Sequence, residues 1–145
     1  MPKSTVNHIG IATRSLDDAE QIWSALGFKF LRNEESKSEG VKIRYMAGQS
    51  GTRIELLQPM DEDSPVGRFI SKKGEGIQQI AIDVDDIQLM IQRLSEAGFR
   101  MINDKPLTSE DGKKIAFVHP NSCGGVLVEL IERASDNHQK GSATR

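Results

Sequence analysis

The chain has 145 residues, 37% of them hydrophobic and 28% charged, with a formal charge of −2 and a single cysteine, Cys123. That is one domain's length with enough apolar residues to bury a core, and a lone cysteine excludes an internal disulfide framework. The near-balanced charge, with lysine pairs only at Lys72-Lys73 and Lys113-Lys114, argues against nucleic acid. No apolar run approaches a membrane span, and the opening MPKSTVNHIGIATRS has too short an apolar run for a signal peptide. A cytoplasmic protein is expected, with neither nucleic acid nor membrane as partner.

In chain order, HIGIA from His8 alternates Ile9 and Ile11, the period of a strand with one face on a core. A helix follows, with Ala19, Ile22, Trp23 and Leu26 as its apolar stripe, Ser15 with Asp18 as its cap and Gly27 just past its end. Short strands are expected near 28–32, 41–47 and 52–58. Ser64 and Pro65 then start a linking helix that carries Val66, Phe69 and Ile70 on one side. QIAID from Gln79 alternates again at Ile80 and Ile82, Asp85 or Asp86 caps a helix with Ile87, Met90, Ile91 and Leu94, and Gly98 ends it. Strands are expected near 99–103, 113–119 and 126–132. From residue 134 the tail has almost no apolar residues and is expected to be disordered.

The two series are one module used twice. HIGIATRSLDDAEQIWSALGFKFL lies over QIAIDVDDIQLMIQRLSEAGFRMI at a shift of 71 residues, and GTRIELL over GVLVELI at a shift of 74. Modules 6–58 and 76–132, each a strand, a helix and three strands, are expected to build a single α+β domain over residues 1–133. Alternation then sets side chains on faces. If the isoleucines meet the helices, His8 and Gln79 point to the other face of the sheet. Glu55 and Glu129 fall at the same place in their repeats, in apolar strand surroundings. A buried carboxylate needs compensation. Each residue has a bland reading alone: a hydrogen-bonded core histidine, or a glutamate paired with Arg53 or Lys42. Together, His8, Glu55, Gln79 and Glu129 occupy two equivalent pairs of positions and suit one divalent ion, Co²⁺, Ni²⁺, Zn²⁺, Mn²⁺ or Fe²⁺.

Across residues 6 to 132 the chain resembles the vicinal oxygen chelate superfamily, and within it the methylmalonyl-CoA epimerases. The resemblance rests on NHIGIA, IELLQPMDEDSPVGRFISKKGEGIQQIAIDVDDI and GKKIAFVHPNSCGGVLVELIE. It implies a glyoxalase-like fold, two tandem βαβββ modules forming a cupped mixed sheet around a metal, with ligands at His8, Glu55, Gln79 and Glu129. Where these epimerases have two histidines this chain has Gln78-Gln79, and Gln79 stands in for the ligand. The family also places a carboxylate base on the strand matching VKIRYM; the aligned position here falls near Ile43, which carries none.

The activity so implied is interconversion of the 2R and 2S forms of methylmalonyl-CoA by α-proton abstraction through a metal-stabilised enolate. Glu129 is the implied base and Glu55, or a water, the returning acid. The loop HPNSCGG resembles the segment near the substrate, with His119, Ser122 and Gly124 as contacts; a hairpin turn requiring positive φ explains Gly124-Gly125 equally well. Cys123 reads as a small packed residue. An acyl-CoA substrate and a homodimer go with the resemblance. Two alternatives stand: a glyoxalase I-type isomerase acting on a thiol adduct, and a binding member of the fold that has lost catalysis.

Overall fold

The structure, a computed structural model, describes residues 3–134. Apart from Ala134, the tail expected to be disordered lies outside them. Along the chain run β1 (Ser4–Ala12), α1 (Leu16–Ala25), β2 (Lys29–Ser36), β3 (Val41–Ala47), β4 (Arg53–Pro59), α2 (Pro65–Lys73), β5 (Gly76–Val84), α3 (Ile87–Glu96), β6 (Leu107–Thr108), β7 (Lys114–Val118), a 3₁₀ turn (Pro120–Ser122) and β8 (Leu127–Glu132). The duplicated order of strand, helix and three strands is present, with α2 between the copies. The chain forms two compact units: Asn7–Ile80, and Ala81 onward together with the residues before Asn7. The division falls inside β5, so α2 belongs with the first repeat.

In the first unit the strands are hydrogen-bonded in the order β2-β3-β4-β1-β5. β1 runs parallel to β4, with Gly10 opposite Glu55, while β2, β3 and β4 are antiparallel. One face carries α1: Ile9 and Ile11, as expected, pack with Ala19, Trp23 and Phe28 around buried Leu16, Met46, Ile54 and Leu56. The opposite face is covered at one end by α2, whose Val66 and Ile70 meet Ala12, Val41 and Leu57. His8, Gly10, Tyr45 and Glu55 lie on that second face, beyond α2's contacts.

Ser15 caps α1 by accepting from the Asp18 amide, Ser64 caps α2 through the Gly67 amide, and Asp86 rather than Asp85 caps α3. The stripe expected on α1 is corrected. Ala19 and Trp23 of that stripe pack on the core, but Ile22 and Leu26 are 57% and 61% exposed, and Leu16 is the residue the helix buries in their place. The i, i+3, i+4, i+7 pattern fits two phases of this helix. The core phase has Glu20 at one position, where its carboxylate lies 2.7 Å from Arg44 of β3.

In the second unit the order is β5-β8-β7-β6. Val84, Ile87, Ile91, Ala116, Val118 and Leu130 form its core, with Ile82, Met90 and Leu94 against it. The stripe read for α3 is the buried one. The strand expected at 99–103 is absent. Met101 makes only an isolated bridge with Val118, and the ladder to β7 resumes as β6 at Leu107–Thr108. Asn103 takes the Phe117 amide with its side chain, and Pro106, which has no N–H, precedes β6.

Candidate active site

The side chains on the open face of the first unit converge because of strand alternation and one bare backbone position. His8 is 6% exposed and Glu55 9%. The His8 ring places Nδ1 2.8 Å from Asn7 Oδ1 and 3.1 Å from Glu55 Oε2. Two oxygen acceptors on one ring nitrogen put the proton there, and Nε2 keeps its lone pair. That nitrogen lies 3.2 Å from the amide of Gln79. Gln79 reaches it by crossing β1 at Gly10: a Cβ on Gly10 would sit 2.6 Å from Gln79 Cγ and 3.1 Å from Leu57 Cδ1. Three of the four expected ligands are therefore gathered within this unit.

Glu129, the fourth, stands on β8 of the second unit, half-buried and opposite Phe117, on the face away from α3. Glu55 has the same standing in the first unit, opposite Tyr45. Among the described residues no group of three or more His, Cys, Asp or Glu side chains is gathered for a metal ion. The cluster here is one imidazole, one carboxylate and one amide. These donors suit a divalent ion of borderline character: Nε2, which accepts from the Gln79 amide, is the ring nitrogen with the lone pair, Asn7 and Glu55 orient the ring from behind, and turning the Gln79 amide by 180° presents its oxygen.

A second group on this face was not read from the sequence. The Tyr45 hydroxyl donates to Glu34 Oε2 at 2.9 Å, Arg32 Nε donates to Glu34 Oε1 at 3.0 Å, and the Arg32 guanidinium lies 4.0 Å over the Tyr45 ring. Register places all three together, with Arg32 opposite Tyr45, Glu34 opposite Ile43 and Tyr45 opposite Glu55. Burial pushes the Tyr45 phenol up, and the Glu55 charge and the hydrogen bond to Glu34 push it further. The available signal was alternation: in VKIRYM, Tyr45 falls on Glu55's face once the hairpin register is set.

Gln78 is 8% exposed, and its Oε1 has no hydrogen-bond partner among the described residues. The loop residues have local partners: His119 Nδ1 accepts from the Asn121 amide, which puts the ring proton on Nε2, and Ser122 Oγ accepts from the Arg100 amide. Both keep a donor. Gly124 and Gly125 have φ of +65° and +96°, so the turn requires glycine irrespective of any ligand. Cys123 packs against the second unit's core, and burial pushes its thiol up.

Residues 7–117 match the Glyoxalase/Bleomycin resistance protein/Dioxygenase superfamily. An ethylmalonyl-CoA/methylmalonyl-CoA epimerase of Cereibacter sphaeroides is 35% identical over 128 residues, 86% of this chain and 95% of that one. A Bacillus halodurans protein termed hypothetical superposes with a TM-score of 0.82 at 42% identity, over 92% of this chain and 96% of its own. A methylmalonyl-CoA epimerase solved in complex with methylmalonyl-CoA and NH4+ gives 0.76 at 32%, over 90% and 95%. With the βαβββ repeats and the buried His8-Glu55-Gln79 cluster, these likenesses show that the chain belongs to the glyoxalase superfamily and, within it, to the methylmalonyl-CoA epimerase family of enzymes.

Proposed function

We propose that the protein interconverts the 2R and 2S forms of methylmalonyl-CoA. The carrying observation is the buried His8-Glu55-Gln79 cluster on the helix-free stretch of the first unit's sheet, in a chain of this family. The carbon between thioester and carboxylate loses its proton only if the developing negative charge is met. A divalent ion held by His8, Glu55, Gln79 and Glu129 would supply that positive charge when bound. Asn7 and Glu55 fix the His8 tautomer, so that Nε2 faces outward as an acceptor, and Gly10 gives Gln79 room to reach it. Glu129 takes the α-proton. Its counterpart Glu55 accepts from the imidazole. Ser122 and His119, each with a donor left, bind the substrate carboxylate beside the backbone of Gly124. We place the enzyme in the cytoplasm as a homodimer that takes an acyl-CoA.

A second reading has one observation in its favour. The Gln79 amide already satisfies His8 Nε2, so the cluster closes on itself without an ion, as a binding protein that had lost catalysis would require. Incubation of a single epimer in deuterated water separates the two. The metal-loaded protein should exchange the α-proton and invert the centre, and Glu129→Gln should slow both by at least about 100-fold while still binding metal. Unchanged exchange in Glu129→Gln removes it as the base. Absence of exchange in the metal-loaded wild type leaves the binding reading.

A further inference from the structure

We propose that Glu75 is a positioning residue for the His8-Glu55-Gln79 cluster: its carboxylate straps the start of β5 to the end of β1, and so sets Gln79 against His8. The proposal rests on Gln79 serving as a ligand in the epimerase reading, and it names what fixes that ligand's place.

The strap lies wholly within the first unit. Glu75 Oε2 accepts the Arg14 amide at 2.7 Å and the Thr13 hydroxyl at 3.0 Å, and Glu75 Oε1 lies 3.7 Å from the Arg14 guanidinium. The Arg14 amide first, and then the Thr13 hydroxyl, hold the carboxyl below the usual glutamate range, as acceptance of both bonds requires. Thr13 is a fixed point. It is 4% exposed, and its amide donates to the Leu57 carbonyl at 2.9 Å. Leu57 stands two residues past Glu55 on β4, so the anchor belongs to the frame that carries the cluster.

The contacts between the two strands run in opposite order along the chain. Glu75 meets Thr13 and Arg14, and four residues on, Gln79 crosses at Gly10 to reach His8. Together they define one register. Side chains alternate with a period of two, so a one-residue displacement of the start of β5 would turn Gln79 away and bring Gln78 to the cluster face. An amide would stand there in either case, so the amide itself does not choose between the two registers. Packing holds this end of β5 loosely: Ile77 is 49% exposed, and Gln78 Oε1 has no hydrogen-bond partner among the described residues. Gly74 and Gly76, with φ of +82° and +155°, leave the backbone on either side of Glu75 free to shift. The Glu75 carboxylate supplies the specific hold.

The second unit uses the same device with the charge reversed. Arg133 Nη2 donates to the carbonyls of Lys3 and Asp83 at 3.0 and 2.9 Å, and Arg133 Nε lies 2.9 Å from the Asp85 carboxylate. It ties the residue before β1 to the end of β5, as Glu75 ties the residue before β5 to the end of β1.

Calorimetric titration of the full-length apo-protein with Co²⁺ tests this on Glu75→Ala, Glu75→Asp, Glu75→Gln, Gln79→Ala and the Glu75→Ala/Gln79→Ala double variant. The side-chain amide signals of Gln79 are followed by NMR in the metal-free protein. Glutamine keeps an oxygen that can accept both bonds, whereas aspartate keeps the charge and falls one methylene short. Glu75→Ala and Glu75→Asp should each weaken Co²⁺ binding by about 10-fold and move the Gln79 signals. Glu75→Gln should stay within a few-fold of wild type, and the double variant should bind no more weakly than Gln79→Ala. The Glu75 side chain is 47% exposed, so its truncation opens no core cavity that would loosen the site generally. Weakening that adds in full in the double variant overturns the proposal, because Glu75 would then act without Gln79. A wild-type affinity in Glu75→Asp with a loss in Glu75→Gln overturns it too, since charge and not reach would be at work. Unmoved Gln79 signals in Glu75→Ala overturn it whatever the metal does; should that variant fail to fold, Glu75→Asp decides by the same comparison. If wild type and Gln79→Ala bind Co²⁺ alike, Gln79 is no ligand and the proposal falls with that part of the epimerase reading, whereas the other failures leave the ligand in place.

Discussion

The two repeats use one scaffold for different work, and the contrast is sharpest at matched positions. On the helix side, the second repeat is apolar at these positions: Ile91 of α3 packs with Ala116 of β7 in a core of buried side chains. The first repeat places Glu20 and Arg44 there, an ion pair at 2.7 Å with side chains 29% and 14% exposed. On the other side, Phe117 and Leu107 of the second repeat answer to Tyr45 and Glu34 of the first. Both repeats share the alternation that builds the sheet. The first carries polar groups on both faces, and the outer strand of the second is only Leu107–Thr108.

The core contrast predicts the largest effect on stability. Ile91→Ala opens a cavity in the second unit and should cost about 2–5 kcal/mol. Glu20→Ala at the matched position should cost about 1 kcal/mol or less, because the pair is partly solvated and Arg44 keeps Asp17 and Asn33 as partners. Copying the second repeat sharpens this. Glu20→Ile alone leaves Arg44 against an apolar side chain, whereas Glu20→Ile with Arg44→Ala should recover the loss, with a coupling on the order of 1 kcal/mol or more. Urea unfolding of wild type, Glu20→Ile, Arg44→Ala and the double variant decides it, and strictly additive effects would show that the pair is not a unit.

A smaller effect is expected where the repeats differ by one methyl. Ala81 matches Gly10 and already carries a Cβ in a fully buried place. Gly10→Ala puts that methyl into Gln79 and should cost about 1–3 kcal/mol by overpacking, and it should also weaken the binding of Co²⁺ or Zn²⁺, since Gln79 is pushed off His8. Ala81→Gly should cost only about 0.5–1 kcal/mol and leave metal affinity unchanged. Chemical unfolding and calorimetric titration measure the two readouts. Equal metal affinity in Gly10→Ala and wild type would mean that the crossing of Gln79 over β1 does not position a ligand.

Period and punctuation made most of the fold legible. Ile9 and Ile11 against α1, the Ser15, Ser64 and Asp86 caps, and the positive φ of Gly27 and Gly98 all follow from residue type and spacing. What misled was a pattern with two solutions: Ile22 and Leu26 complete a stripe on α1 as well as Leu16 does, and only transfer of the α3 phase through the repeat would have chosen correctly. The strand near 99–103 failed because side-chain apolarity does not show where Asn103 replaces a ladder bond. In the site, His8, Glu55 and Gln79 were legible because equivalent positions in a repeat define a face. Tyr45 and Glu34 were not, since their meeting depends on the register of a hairpin containing an irregularity between Phe30 and Arg32.

The smallest effect concerns the amides that precede the two cluster residues. Asn7 and Gln78 are matched by the 71-residue shift, and their oxygens fare differently. Asn7 Oδ1 accepts from the His8 ring at 2.8 Å, whereas Gln78 Oε1 is buried with no hydrogen-bond partner among the described residues. An unsatisfied buried acceptor costs about 1–3 kcal/mol, and Gln78 alternates with Gln79, so its side chain points to the sheet face away from the cluster. Gln78→Met keeps the length of the side chain and removes the oxygen. It should stabilise the protein by about 1 kcal/mol and leave the metal titration unchanged. Asn7→Leu, by contrast, removes the acceptor that orients His8, and it should weaken metal binding even where stability holds. Thermal unfolding and titration of both variants check the pair. A destabilised Gln78→Met would mean that the oxygen has a partner in the working protein, and the cost assigned to it would then belong to that contact.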